Sequence, residues 1–150
     1  MKVIRSPRAV WIAFLCLLFA AWAEVSAEAP VQAAMDRIVA RLCAALSPDD
    51  LMKLDEAAIQ PYITPEDRRV LAGEYWCFDV DVPVIVSVMR DVEQPVAPFW
   101  LPEAGFKKTD LRVCNEEFQY EVWQKSFDAG RVGLGINGFD KHRPHYFVAV

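Results

Sequence analysis

The only two histidines of the chain lie close together, in the segment HRPH. His142 and His145 flank a proline, and Asp140 lies two residues before His142. Imidazole nitrogens and a carboxylate are ligands that zinc takes. The proline disfavours helical geometry, however, and a solvent-exposed loop of charged residues accounts for the same segment. The solvated loop is favoured. Asp140, His142 and His145 remain the alternative ligand set, and no metal or other cofactor is predicted.

Paired carboxylates are the next groups that could do chemistry, as a general acid and base. Asp79 with Asp81, and Glu117 with Glu121, are spaced so that each pair shares one face of an extended strand. Such pairs more often form the solvated face of a sheet. No serine or cysteine stands in a motif with a base that would activate it as a nucleophile. No catalytic residue is therefore predicted.

Two tryptophans are the candidate ligand-binding residues. Trp100 lies in the segment PFWLP, which is predicted to be a loop, and Trp123 shares a strand face with Gln119 and Glu121. An exposed indole beside polar side chains can stack on a sugar ring while its neighbours bond the hydroxyls. The alternative is that Trp123 covers the flank of the sheet or contacts a helix. If Trp100 and Trp123 are exposed together, the predicted ligand is a polysaccharide.

Helices are predicted to precede the residues considered so far, in residues 28–74. One apolar stripe recurs at helical spacing, formed by Val31, Met35, Ile38, Val39, Leu42 and Leu46. Ser47-Pro48 and Thr64-Pro65 are each followed by two acidic residues, which is typical of a capped helix start. We therefore expect two or three short α-helices, the last of which ends near Gly73.

From Tyr75 onward the apolar period changes to two, which predicts strands. Pro83 marks an edge, a bulge or a break between two strands, and residues 92–109 are predicted to be a connection. A hairpin is expected across the turn at residues 128–130, and a last strand covers residues 146–150. The predicted fold class is mainly β, with residues 75–150 forming an antiparallel β-sandwich of the immunoglobulin or fibronectin-III kind.

The first 27 residues have the pattern of a cleavable signal peptide. Three basic residues precede a run of 15 apolar residues, and small residues at Ala23 and Ala27 offer cleavage sites. A membrane anchor is the competing interpretation, but a spanning helix needs about 20 apolar residues. We predict cleavage near Ala23 or Ala27, a periplasmic or secreted mature chain, and no membrane attachment after cleavage. The net charge of −5 argues against nucleic acid as a partner.

Export permits disulfides, and three cysteines remain after cleavage. They are Cys43, Cys77 and Cys114, so one thiol stays unpaired or joins two chains. The plainer alternative is one bridge or none, with the remaining cysteines acting as small buried apolar residues. The pairing is open, and Cys77 with Cys114 is the preferred pair because both lie in segments that resemble strands.

Three stretches of the second half carry a resemblance to a known family: FDVDVPVIVSVMRD (78–91), PFWLPEAGFKKTDL (98–111) and YEVWQKSFDAGRVGLGINGFDKHRPHYFVAV (120–150). They resemble the N-terminal fibronectin-III-like or purple-acid-phosphatase-like domain of secreted bacterial calcineurin-like metallophosphoesterases. The resemblance implies a sandwich ahead of a catalytic domain that binds two metals. The metal motifs of that catalytic domain resemble DxH, GDxxD and GNHE. Asp140-Lys141-His142 matches the first by letters only, and the other two are absent from the sequence.

The predicted function is that of an exported, non-catalytic accessory or interaction module. The resemblance implies that it is the N-terminal part, or a standalone relative, of a secreted metallophosphoesterase. Its expected partner is the catalytic domain of such an enzyme or another periplasmic or extracellular protein. The first alternative is a sandwich that binds carbohydrate or a cell-surface ligand. The second, a metal-dependent phosphoesterase, is disfavoured by the absent motifs.

Overall fold

The computed structural model describes residues 29–139 and 145–150. The predicted signal peptide, with both cleavage sites, lies outside the described residues, as do Asp140 and His142. Of the residues that are described, about 34% are helical and 32% lie in strands. The fold is therefore mixed α and β, and the prediction of a mainly β chain underestimated the helices. None of the described helices is long and apolar enough to cross a membrane.

The helical region before the first strand has four α-helices and one 3-10 helix: α1 (Pro30–Ala45), α2 (Pro48–Leu51), α3 (Glu56–Ile59), the 3-10 helix Gln60–Tyr62, and α4 (Pro65–Gly73). The two predicted helix starts are confirmed. The Ser47 hydroxyl accepts a hydrogen bond from the Asp50 amide, and the Thr64 hydroxyl accepts one from the Asp67 amide. These side chains satisfy amide groups that a helix start leaves without intrahelical partners.

Six strands form two antiparallel sheets: β1 (Trp76–Val80), β2 (Val84–Asp91), β3 (Lys107–Cys114), β4 (Gln119–Phe127), β5 (Gly130–Leu134) and β6 (Phe147–Ala149). One sheet pairs β1 with β5, and the other has the order β3-β4-β2-β6. The break at Pro83 is confirmed, since it separates β1 from β2. The predicted connection at residues 92–109 is wrong in part, because it contains a fifth helix, α5 (Trp100–Glu103), and the start of β3.

The predicted hairpin across residues 128–130 does not form. β4 pairs with β2 on one side and β3 on the other, so both of its edges are occupied. β5 instead joins β1 in the second sheet. Gly130 adopts a φ of +138°, a conformation open to glycine, at the point where the chain leaves one sheet for the other.

A hydrophobic core lies between residues of both sheets. Val86 and Val88 of β2, and Val132 and Leu134 of β5, are fully buried and belong to this core. Trp100, Leu101, Phe106 and Tyr146 complete it. The period-two apolar pattern of β2 therefore buries alternate side chains between the sheets, as the sequence predicted.

A second core packs the helical region against the segment that follows β5. Ala34, Ile38 and Leu42 of α1 meet Val70 and Leu71 of α4, together with Ile136. Two backbone hydrogen bonds join the helical side to the β5 side: the Ile136 amide donates to the Leu71 carbonyl at 2.9 Å, and the Tyr75 amide donates to the Leu134 carbonyl at 3.1 Å. The helices and the sheets therefore share both side-chain and backbone contacts.

The three described cysteines are free thiols, so the predicted bridge between Cys77 and Cys114 is not formed. Cys77 lies on β1 of the two-stranded sheet, where its thiol donates to the Gly73 carbonyl at 3.4 Å. Cys114 is exposed at the end of β3, an outer strand of the other sheet. The sequence pattern correctly predicted that both cysteines lie in strands. It could not show that the two strands belong to different sheets.

Asp67 anchors α4 to α1 through a buried carboxylate. Its side chain is 1% exposed and accepts hydrogen bonds from the Thr64 hydroxyl at 2.7 Å, from Arg37 at 2.9 Å and from Arg41. Burial on its own raises the pKa of Asp67, but these donors and the charge of Arg41 outweigh it and lower the pKa to about 2. The carboxylate is therefore held ionised in the folded chain.

Acid is expected to weaken the fold through Asp67. Because the folded pKa lies near 2 and the ordinary value is 3.8, this group stabilises the fold above about pH 4 by about 2 kcal/mol. That contribution is lost as the pH falls through the folded pKa. Urea unfolding of the wild-type chain and of Asp67→Asn should therefore show a stability gap at about pH 5 that narrows toward about pH 2. A gap that does not change with pH would contradict this account.

Candidate functional site

Trp100, a predicted ligand-binding residue, is buried rather than exposed. It opens α5 and its side chain has no exposed surface. The ring packs edge-on against Phe106 and Tyr146, with centroid distances of 5.6 and 5.7 Å, and its indole N–H donates to the Ile136 carbonyl at 2.7 Å. The prediction of an exposed loop residue is therefore wrong, because the apolar neighbours of Trp100 carry it into the core.

Trp123 is half-buried and packs against the same core between the sheets. Its indole N–H donates to the Glu121 carboxylate at 2.9 Å, so the predicted neighbour on the strand face is confirmed. The side chain contributes to the core rather than standing free in solvent. This placement matches the alternative in which Trp123 covers the flank of the sheet. The two tryptophans do not form an exposed stacking pair.

A charged cluster surrounds Glu121 on the face of the four-stranded sheet that carries Trp123. We define it as Arg90, Gln94, Lys108, Glu121 and Trp123. Arg90 lies 2.9 Å from one carboxylate oxygen of Glu121, and the Lys108 ammonium lies 2.5 Å from the other. Arg90 and Glu121 are each 7% exposed at the side chain, whereas Lys108 is half-exposed. The ion pair between Arg90 and Glu121 is therefore buried, and the cluster reaches solvent at Lys108.

Glu121 is held as a carboxylate by this cluster. Burial raises its pKa, but hydrogen bonds from Lys108 and Trp123 and the charges of Arg90 and Lys108 outweigh burial and lower the pKa. Both oxygens accept from donors, so this group is poorly suited to take a proton. Its predicted pair partner, Glu117, lies in the exposed turn before β4. The geometry therefore supports a structural role for Glu121 over acid–base work.

The cluster continues inward as a chain of polar contacts. Arg90 donates to the backbone carbonyl of Gln94, and the Gln94 amide donates to the carbonyl of Asn137 at 2.8 Å. In the part of the chain that the structure describes, Arg90 Nε and Asn137 Oδ1 are buried without a hydrogen-bond partner. Neither Arg90 nor Gln94 was predicted from the sequence as a site residue. A signal was present for Arg90, which falls in phase with the buried Val86 and Val88.

Neutralising Glu121 is expected to destabilise the fold. Glu121→Gln leaves the buried Arg90 without its counter-charge, which should lower the free energy of unfolding by about 2 kcal/mol. Glu117→Gln is the matched control, because Glu117 is exposed, and it should change stability by less than about 0.5 kcal/mol. Urea unfolding at neutral pH measures both. Equal effects of the two substitutions would contradict the role given to the cluster.

The opposite face of the four-stranded sheet exposes apolar side chains. Ile85 of β2, Val113 of β3 and Phe147 of β6 are 57%, 42% and 51% exposed, and register places them on the face opposite Val86 and Val88. Phe147 packs edge-on against the buried Tyr120, with a centroid distance of 5.1 Å. We call Ile85, Val113, Tyr120 and Phe147 the outer patch. It leaves apolar surface of three strands in contact with solvent.

One end of the same face carries a shallow polar recess. It has a volume of about 260 Å³ and is lined by Ile85, Gly105, Lys107, Gln124, Lys125 and Ser126. We call it the lysine recess. Lys107 and Gln124 are partners across β3 and β4, and Ile85 and Ser126 are partners across β2 and β4. Three strands therefore contribute to one concave surface, and no sequence motif marked it. The side chain of Lys125 itself lies on the opposite face of the sheet, because Lys125 is the register partner of the buried Val86.

The predicted metal ligands are not brought together within the described residues. His145 is exposed, while Asp140 and His142 lie outside residues 29–139 and 145–150. Within those two ranges no group of three or more His, Cys, Asp or Glu side chains is arranged to hold a metal ion. No family model, curated protein or solved structure matches this chain.

Proposed function

We propose that this chain is an exported accessory module whose two sheets form a β-sandwich of the immunoglobulin or fibronectin-III kind. The core shared by β2 and β5 supports the sandwich, since side chains of both sheets meet there. The signal-peptide pattern of the first 27 residues supports export. The module acts by docking on a neighbouring domain rather than by catalysis.

The observation that carries this proposal is the outer patch. A folded chain gains free energy by burying apolar surface, so exposed apolar side chains on one face of a sheet favour a surface that another protein covers. Ile85 and Phe147 each leave about half of their surface exposed, on neighbouring strands. The proposed partner is the catalytic domain of a secreted calcineurin-like metallophosphoesterase, as the resemblance of residues 78–91, 98–111 and 120–150 implies.

Sequencing the coding DNA across and beyond codon 150 tests the identity of the partner. A reading frame that continues into DxH, GDxxD and GNHE motifs would support a module that serves a catalytic domain in the same protein. A stop codon directly after Val150 would overturn the proposal that the module and the catalytic domain belong to one polypeptide. The partner would then have to be a separate protein.

The outer patch is tested by charge substitution in the complete exported protein. Val113→Lys places an ammonium in the patch, whereas Val82→Lys alters a somewhat more exposed valine in the turn between β1 and β2. Sedimentation velocity or limited proteolysis of the two domains then reports their association. The proposal expects loss of docking with Val113→Lys and no change with Val82→Lys. Equal behaviour of both variants would count against the patch.

A carbohydrate-binding sandwich remains the second candidate function. The buried state of Trp100 removes one of its two predicted stacking residues, and Trp123 packs on the core. The polar groups that such a ligand would meet are instead those of Lys107, Gln124 and Ser126, which line the lysine recess on one face of the sheet.

A further inference from the structure

The edge strands of the two sheets differ in charge. Within the described residues four strands lie at an edge: β1 and β5 in the two-stranded sheet, and β3 and β6 in the other. β1 and β5 each carry one exposed charged residue, Asp79 and Arg131. β3 has a bulge and carries four exposed charged residues, Lys107, Lys108, Asp110 and Arg112. Charges and bulges discourage an edge strand from pairing with another chain. β6 has neither.

The edge that β6 presents is apolar and exposed. Phe147 is 51% exposed, Ala149 is exposed, and Val150, which follows the strand, is 66% exposed. β6 pairs with β2 on one side, and no strand within residues 29–139 and 145–150 pairs with its other side. The backbone on that side is therefore open to a further strand, which would extend the four-stranded sheet.

A second copy of β6 fits this edge by symmetry. A two-fold axis perpendicular to the sheet sets two identical edge strands antiparallel to each other. Only the register centred on Val148 pairs all three residues of each strand. Each Val148 then lies opposite its equivalent, and Phe147 of each copy lies opposite Ala149 of the other. Phe147 and Ala149 point to the same face of the sheet, so the small alanine leaves room for the exposed ring.

Charge also favours a second copy at this edge. The chain has a net charge of −5, so two copies repel each other over most of their surface. Residues 146–150 are all uncharged, and pairing through β6 therefore places no like-charged side chains opposite each other. Two β3 strands brought together would instead oppose their basic residues. A β3 strand paired with β6 of another copy would form an open chain of molecules, whereas β6 with β6 closes at two.

We propose that β6 pairs antiparallel with β6 of a second copy, which joins two four-stranded sheets into one sheet of eight strands. The ladder adds two or four backbone hydrogen bonds, depending on which residues point to the edge. A contact of three residues per copy is far smaller than the ~1,200–2,000 Å² interface of a stable complex, so the dimer is weak and reversible. The outer patches of both copies then lie on one face. This inference goes beyond the proposed docking function and does not depend on it.

Sedimentation equilibrium of the intact exported protein tests the pairing. We expect a monomer–dimer equilibrium with a Kd of about 0.1–1 mM and no larger species. Ala149→Glu should weaken the dimer about fivefold, because it sets a carboxylate opposite each Phe147 and brings the two carboxylates close across the axis. Ala129→Glu, at an exposed alanine in the turn between β4 and β5, is the matched control and should have no effect.

A mixture of opposite charges separates the pairing from a structural effect of the substitution. Ala149→Lys alone should weaken the dimer as Ala149→Glu does, but the two variants mixed in equal amounts should associate more tightly than either alone. A change that merely disturbs β6 would not be restored by mixing. Val113→Lys, which tests docking through the outer patch, should leave the dimer unchanged, because Val113 lies on β3 at the far edge of the sheet.

Three results would overturn the inference. The first is a protein that stays monomeric up to about 1 mM, as it would if a strand of another domain already covered β6. The second is association that continues beyond two copies. The third is an equal effect of Ala149→Glu and Ala129→Glu, or a mixture of the two charged variants that associates no better than either alone.

Discussion

Trp100→Ala is expected to lower the free energy of unfolding by about 3–5 kcal/mol, the largest effect of any single substitution considered. The side chain is fully buried and packs against Phe106 and Tyr146, so its removal leaves a large cavity in the core between the sheets. The substitution also removes the donor to the Ile136 carbonyl, whose hydrogen bond measures 2.7 Å. Urea or thermal unfolding followed by circular dichroism measures the loss.

Two further variants keep this prediction testable if Trp100→Ala fails to fold. Trp100→Phe retains a ring but not the indole N–H, and should fall between the wild-type chain and Trp100→Ala. Trp76→Ala is the matched control, because Trp76 is 47% exposed, and it should cost less than Trp100→Phe. A larger loss with Trp76→Ala than with Trp100→Phe would show that Trp100 does not hold the core.

Gly133→Ala is expected to destabilise the fold by about 3 kcal/mol. A Cβ at this position would overlap the carbonyl oxygen of Gly73 and lie 3.1 Å from its carbonyl carbon. Both atoms belong to the backbone at the end of α4, so no side-chain rotation relieves the overlap. The helix would have to move away from β5, and the second core would be disturbed with it.

The control for this substitution lies on the other side of the same contact. An ideal Cβ at Gly73 has no heavy atom within 4 Å, and the residue ends a helix, where alanine is favoured over glycine. Gly73→Ala should therefore be neutral or stabilising in the same unfolding experiment. If Gly133→Ala proved as mild as Gly73→Ala, the close approach of α4 to β5 would be absent in solution.

Local signals in the sequence predicted much of the secondary structure. The caps at Ser47 and Thr64 and the break at Pro83 depend on residues a few positions apart, and the structure confirms all three. The pairing of the strands depends instead on contacts between distant segments. The Asp128–Gly130 turn looked like a hairpin because nothing nearby shows that β4 already has β2 and β3 as neighbours.

The candidate sites were harder to predict than the fold, for the same physical reason. Trp100 and Trp123 were selected by residue type, but burial decides their role, and burial depends on α5 and the second sheet. Arg90 pairs with Glu121 across 31 residues of sequence. The lysine recess likewise forms only when three strands lie side by side. No residue pattern within one strand could therefore predict it.

The hydrogen bond from the Ile136 amide to the Leu71 carbonyl has a consequence for how the molecule opens. Ile136 is buried, so its amide can exchange with deuterium only when α4 separates from the segment after β5. The helical region and the sheets should then melt together, because detaching the helices would strip the Ile136 amide of its acceptor and the Ile136 side chain of its apolar neighbours on α1 and α4. A protease that cuts between residues 45 and 65 would leave two pieces that stay associated under native conditions.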